Sequence, residues 1–157
     1  MMYIGIDPGK SGGIAIISEI GVEAITPMII AGKDVDVAAT AEWLDYHLGD
    51  MHAVCYIEKV SAMPKQGVTS MFKFGFSTGV MHGIITTLGI PMQLVTPQAW
   101  KKKILSGTKK DKDAAIDYCR RLYPDISLLA TERSRKPHSG MADALCIARY
   151  GLLADES

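Results

Sequence analysis

The opening of the chain constrains its fold more than any other stretch. Apolar runs at residues 2–7, 13–18 and 22–29 follow one another closely, punctuated by Asp7-Pro8-Gly9 and Gly12-Gly13. Proline fixes φ and glycine admits positive φ, so these are strong turn signals. Runs so tightly connected fold back on one another, which predicts three antiparallel strands.

The pattern then changes. Residues 37–48 carry Val37, Ala41, Leu44 and Leu48 at helical spacing and stop at Gly49. Residues 53–57 form a continuous apolar run with Val, Tyr and Ile, as in a strand buried on both faces. Residues 68–88 read as a long helix, although each internal glycine costs about 0.5–1 kcal/mol. Gly75, Gly79 and Gly83 are spaced four apart and share one face. A stripe without side chains predicts close approach of another backbone, from the sheet or from a partner helix. A strand at 90–95 follows, then helices at 97–105, 110–122 and 140–153, with a basic loop at 131–138. Three antiparallel strands followed by alternating helices and strands make an α/β fold with a mixed, partly parallel five-stranded sheet flanked by helices. The 157 residues are expected to form a single domain, with no repeat or linker.

No apolar run approaches the ~20 residues needed to cross a bilayer, and Asp7 and Lys10 break the N-terminal stretch before it resembles a signal peptide. Cys55, Cys119 and Cys146 are well spread, odd in number and without metal-ligand spacing, which suits buried, reduced thiols in a cytoplasmic protein. Net charge is zero, yet its distribution is uneven. Residues 1–100 hold five Lys/Arg against nine Asp/Glu, and residues 101–157 hold twelve against eight. The basic excess lies in Lys101-Lys102-Lys103, Lys109-Lys110, Lys112, Arg120-Arg121 and the run from Arg133 to Lys136. A localised basic face is what phosphate binding requires, whatever the total. A solvated helix face would look the same if the run stood alone.

Three acidic residues give that basic face a chemistry. Asp7 ends the first strand, Glu58 follows the 53–57 run, and Asp143 lies in the late helix between small residues, Gly140, Ala142 and Ala144. Each has an ordinary explanation: turn chemistry for Asp7, a first solvated residue for Glu58, a helix-dipole acid for Asp143. Together they are harder to dismiss. The two strands should be neighbours, the small residues let the late helix lie close, and three gathered carboxylates call for a cation. Hard cations take oxygen ligands, and carboxylates holding two of them can cleave a phosphodiester.

The segments Gly5-Ile6-Asp7-Pro8-Gly9, Ile57-Glu58 and Met141-Ala142-Asp143-Ala144-Leu145-Cys146-Ile147-Ala148 together resemble the RuvC family of Holliday junction resolvases, most of all its short phage-type forms. The resemblance implies a ribonuclease H-like fold, a homodimer, and Mg²⁺- or Mn²⁺-dependent paired nicking of four-way DNA junctions with two ions per site. It implies metal binding by Asp7, Glu58 and Asp143. The family's fourth acid, one turn before the last aspartate, is missing; Ser139 and Gly140 stand there. His138 is the nearest candidate, as a ligand, as a base orienting water, or only as a phosphate contact.

Lys101 and Lys112 match positions where the resemblance implies lysines near the scissile phosphate, and the lysine at either place would also stabilise charge as the bond breaks. Lys102, Lys103, Lys109 and Lys110 would add salt-sensitive phosphate affinity. The phenylalanines, Phe72, Phe74 and Phe76, alternate by two, so a helix turns them to different sides. Met63 and Phe72 are the candidates for unstacking junction bases, against core or dimer packing. Other readings stay open: a ribonuclease H-like nuclease acting on branched DNA or RNA–DNA hybrid, and an inactive junction-binding module. A sugar-kinase or actin-like ATPase would also match Asp7, Gly9 and Gly13, but needs two lobes.

Overall fold

A computed structural model describes residues 1–109 and 111–157. The chain runs β1 (Met2–Asp7), β2 (Gly13–Ser18), β3 (Gly21–Pro27), β4 (Ile30–Ala31), β5 (Asp34–Val35), α1 (Val37–Leu48), β6 (Ala53–Glu58), α2 (Val68–Thr87), β7 (Met92–Val95), α3 (Pro97–Ile104), α4 (Ala114–Leu122) and α5 (Ser139–Asp155). Five strands form one sheet in the order β3-β2-β1-β6-β7. The β1–β2 and β2–β3 pairs are antiparallel, whereas β1–β6 and β6–β7 are parallel.

Two expectations needed correction. The third strand stops at Pro27, and the segment beyond it makes a small antiparallel hairpin, β4–β5, turned at Gly32 with φ 63°. Two-residue strands carry too little alternation to be read from sequence. The helix expected from residue 110 begins at Ala114. Asp113 precedes it, and the backbone N–H of Asp113 is held by the Asp111 carboxylate, so the charged segment forms a turn.

Each face of the sheet carries its own core. Odd residues of β1 and β2 join Tyr56 of β6 under α3, α4 and α5: Tyr3, Ala15 and Ile17 pack with Trp100, Leu145, Ala148 and Leu152. Even residues face the other way. Ile4, Ile6, Ile14 and Ile16 meet Leu44 of α1 and Met81, Ile84 and Ile85 of α2. Strands buried on both faces explain why β1 and β6 read as unbroken apolar runs.

Helix α5 lies directly on β1 and β2. A methyl group added at Gly5 would stand 2.9 Å from Ala148 Cα, and one added at Gly13 would stand 2.9 Å from the Gly140 carbonyl oxygen. Reciprocally, a methyl at Gly140 would lie 2.6 Å from Gly12 Cα. Backbone meets backbone there. The far end of α5 is tied by the Tyr3 hydroxyl donating to Asp155 at 2.6 Å. On α2 the glycines behave differently: nothing lies within 4 Å of a Cβ built at Gly75, Gly79 or Gly83, so the sheet is not the backbone they admit.

All three cysteines are buried and free. Cys119 and Cys146 join α4 to α5 with sulfurs 3.8 Å apart. No helix among the described residues is long and apolar enough to cross a membrane.

Candidate active site

The sheet aims its carboxylates by register. β1 and β6 run parallel, with Ile6 beside Ile57, so Asp7 and Glu58 end adjacent strands on the same side. Side chains alternate along a strand. Asp7 therefore shares the face of Tyr3 and Gly5, and Glu58 that of Tyr56, which is the face covered by α5. Asp143 stands on α5 between Gly140, pressed on Gly12 and Gly13, and Ala144, pressed on Gly5. The small residues put the aspartate where the strands end.

Electrostatics link the three groups. Burial, then the charges of Glu58 and Asp143, push the Asp7 carboxyl up to about 8, while Lys101 opposes the shift. Burial and Glu58 raise Asp143 to about 6, again opposed by Lys101. Acids that repel one another in a half-buried space are what a divalent cation would relieve. The oxygens are not a ready-made cage. Among the described residues, no three His, Cys, Asp or Glu side chains are gathered closely enough to hold an ion alone. Such a donor set still fits Mg²⁺ or Mn²⁺, since Mg²⁺ commonly takes one or two carboxylates and completes its shell with phosphate oxygens and water.

The lysines divide. Helix α3 starts at the Thr96 cap, whose hydroxyl accepts from Ala99 N–H, with Pro97 in its first turn. It buries Trp100 and Ile104, one turn apart, and leaves Lys101, Lys102 and Lys103 exposed. Lys101, Lys102, Lys109 and Lys112 line a cavity of about 810 Å³ that has Asp143 and Ser139 on its wall. Lys103 points elsewhere: its ammonium donates to the Leu153 carbonyl at 3.3 Å and lies 5.8 Å from the Tyr150 ring centre. Lys110 lies outside the described residues.

His138 caps α5. Its Nδ1 accepts the Met141 N–H at 3.1 Å, and burial lowers its pKa. A neutral ring using Nδ1 as an acceptor carries its proton on Nε2, so the nitrogen left over donates.

The phenylalanines separate as their spacing suggested. Phe74 folds over the Asp7 turn, with a ring carbon 2.7 Å from where a Gly9 Cβ would stand, and Gly9 has φ 112°. Phe72 and Phe76 are exposed, Phe72 at 75%. Met63 is likewise exposed, in the loop between Glu58 and α2.

Trp100 was not singled out from the sequence. Its ring is fully buried, and Nε1–H donates to Glu58 Oε2 at 2.6 Å. Lys101 lies 5.3 Å from the centre of that ring. A bulky aromatic just before a lysine tract, one turn inside a capped helix, was the available signal. A second signal is the charge of the surrounding stretch: the 52 residues from Lys59 to Lys110 contain eight lysines and no Asp or Glu.

No family model matches the chain. A curated relative, the chloroplastic Holliday junction resolvase MOC1 of Chlamydomonas reinhardtii, is 31% identical over 97 residues, 62% of this chain. The match spans only 11% of that protein's length. Among solved structures, RuvC of T. thermophilus in complex with a Holliday junction substrate superposes with a TM-score of 0.70 at 18% identity, covering 99% of this chain and 94% of that one. A second Thermus thermophilus RuvC structure gives 0.64 at 20% identity, with 99% and 96% covered. The chain has the ribonuclease H-like fold of RuvC.

Proposed function

We propose that this chain is a metal-dependent, structure-selective DNA endonuclease that resolves four-way junctions by paired nicks, acting as a homodimer. The observation that carries the reading is the meeting of Asp7, Glu58 and Asp143 at one sheet edge, next to a lysine-lined cavity. The resolvases named above agree with it in fold and, for the chloroplast relative, over part of the sequence.

Asp7, Glu58 and Asp143 would hold Mg²⁺ or Mn²⁺, which would supply an activated water and charge neutralisation at the phosphate.

 The chain's own groups do the rest. Lys101, Lys102 and Lys109 bind backbone phosphates at the cavity, which adds salt-sensitive affinity. Lys112, which lines the same cavity as Asp143, neutralises the leaving oxygen as the phosphodiester breaks. His138 presents Nε2–H as a donor, which suits a phosphate oxygen better than a cation. Phe72 and Met63, both exposed, stack on or wedge between bases at the branch point.

The uncovered glycine stripe of α2, flanked by exposed Phe72 and Phe76, supports a dimer through that helix. A two-fold pair would present two such sites to a pseudo-symmetric junction.

The test is a synthetic four-way junction incubated with Mg²⁺, with Mn²⁺ and with EDTA. Symmetric paired nicks that need the ion and spare linear duplex are expected. Equal cutting of duplex, flap and junction would overturn junction selectivity, and cutting in EDTA would overturn the metal requirement.

A further inference from the structure

The contact between Trp100 and Glu58 reaches beyond folding. A buried indole N–H needs an acceptor, and many would serve, including a backbone carbonyl. Here the acceptor is one of the three carboxylates, at 2.6 Å, short even for a hydrogen bond to an ionised oxygen. The indole cannot drift, because its ring is fully buried in the core shared with α5. One oxygen of Glu58 is therefore pinned from the helix side, and among the described residues Oε1 accepts no hydrogen bond.

We propose that Trp100 is a positioning residue for the metal ligand Glu58, holding Oε2 so that Glu58 offers a divalent cation a single oxygen, and that this selects Mg²⁺ or Mn²⁺ over Ca²⁺. The inference rests on the nuclease reading of the site. Its chemical logic is that Ca²⁺ accepts bidentate carboxylates in a loose shell of six to eight oxygens, whereas Mg²⁺ demands a tight octahedron. A glutamate whose Oε2 gives one lone pair to a fixed indole N–H is less free to turn both oxygens onto one cation. Partners that orient a ligand in this way commonly change metal affinity by about 10- to 100-fold when removed.

The chain has two tryptophans, Trp43 and Trp100, and Trp43 lies on α1, across the sheet. Its indole Nε1–H is an internal control in a proton–nitrogen NMR spectrum of the intact protein, with W43F assigning the two signals. Titration with Mg²⁺ is expected to move the Trp100 signal and leave that of Trp43 in place. Trp100→Phe keeps an aromatic ring and removes the donor. It is expected to weaken Mn²⁺ binding by about 10-fold or more while Ca²⁺ binding holds or tightens, so the selectivity ratio collapses.

A Trp100 signal that ignores Mg²⁺ overturns the proposal without needing any variant to fold. So does a W100F protein that loses Mn²⁺ and Ca²⁺ by the same factor. If the wild-type chain nicks junctions while either result holds, the nuclease reading survives and only the positioning role falls. A chain that neither binds the ions nor nicks overturns both.

Discussion

Two sets of glycines in this molecule do opposite things. Gly5, Gly13 and Gly140 are filled by backbone: α5 rests on β1 and β2 so closely that a methyl group at any of them meets main-chain atoms at 2.9 Å or less. Gly75, Gly79 and Gly83 face open space along α2. The first set sits on the side of the sheet where the carboxylates point, and it fixes Asp143 against the ends of β1 and β6. The second set lies on the other layer, beside exposed Phe72 and Phe76. Glycine is thus used once to make a rigid internal joint and once to leave a surface low. In the proposed nuclease the rigid joint would serve chemistry, because carboxylates from three separate segments must hold their relative positions. The low surface is the one that the proposed dimer would use.

The largest expected effect tests what the rigid joint is for. Asp7→Asn should reduce junction nicking by on the order of 10³-fold or more, while a gel-shift assay still detects junction binding. Normal cutting by that variant would remove the carboxylate trio from the mechanism. Next, the two glycine sets can be set against each other. Gly5→Ala should destabilise the protein by about 3 kcal/mol or more, since backbone on both sides cannot relax. Gly79→Ala should stabilise the isolated chain by about 0.5–1 kcal/mol through helix propensity, and should weaken self-association measured by sedimentation. Equal losses of stability from both would erase the contrast.

The pH dependence sharpens the same picture. Asp7 and Asp143 titrate near 8 and 6 in the folded protein, above the ordinary carboxylate range. Between about pH 4 and 8 the folded state therefore binds more protons than the unfolded state, and stability falls as pH rises. Denaturant melts in EDTA should show that decline, and Asp7→Asn should flatten it, gaining about 1–3 kcal/mol over the wild type at pH 8. A wild-type curve that rises across this window would contradict the burial of the acids. The smallest effect concerns the cavity rim. Lys102→Ala should weaken junction binding modestly and reduce the slope of log affinity against log salt by about one. Lys103→Ala, whose ammonium is engaged by α5, should leave that slope unchanged.

Much of the scaffold was legible because it depends on short-range patterns. The Asp-Pro-Gly turn, the apolar runs of β1, β2 and β6, and the Thr96-Pro97 start of α3 are local signals, and each element formed where it was expected. The β4–β5 hairpin was not legible, because two residues per strand leave no period to detect. The start of α4 shifted because a side-chain contact from Asp111 competes with the helix for the backbone at Asp113. Within the site, the spacing of the small residues around Asp143 anticipated its close approach to the strands. The capping contact of His138 and the carboxylate contact of Trp100 could not be anticipated. Whether a histidine beside a helix caps it or faces a cavity depends on its rotamer, and whether a buried indole meets a carbonyl or a carboxylate depends on which helix crosses which strand.

The amino-acid order alone determined the alternation of strands and helices, the candidate acids and the basic tract, since periodicity, turn residues and charge are properties of neighbours along the chain. Tertiary structure decided which of those groups share a space. The parallel register of β1 and β6 turned Asp7 and Glu58 to one face, the glycine contacts set Asp143 above them, and the burial of Trp100 selected a single oxygen of Glu58. Those outcomes come from packing between segments up to a hundred residues or more apart, where one residue of register or one methyl group changes what meets what.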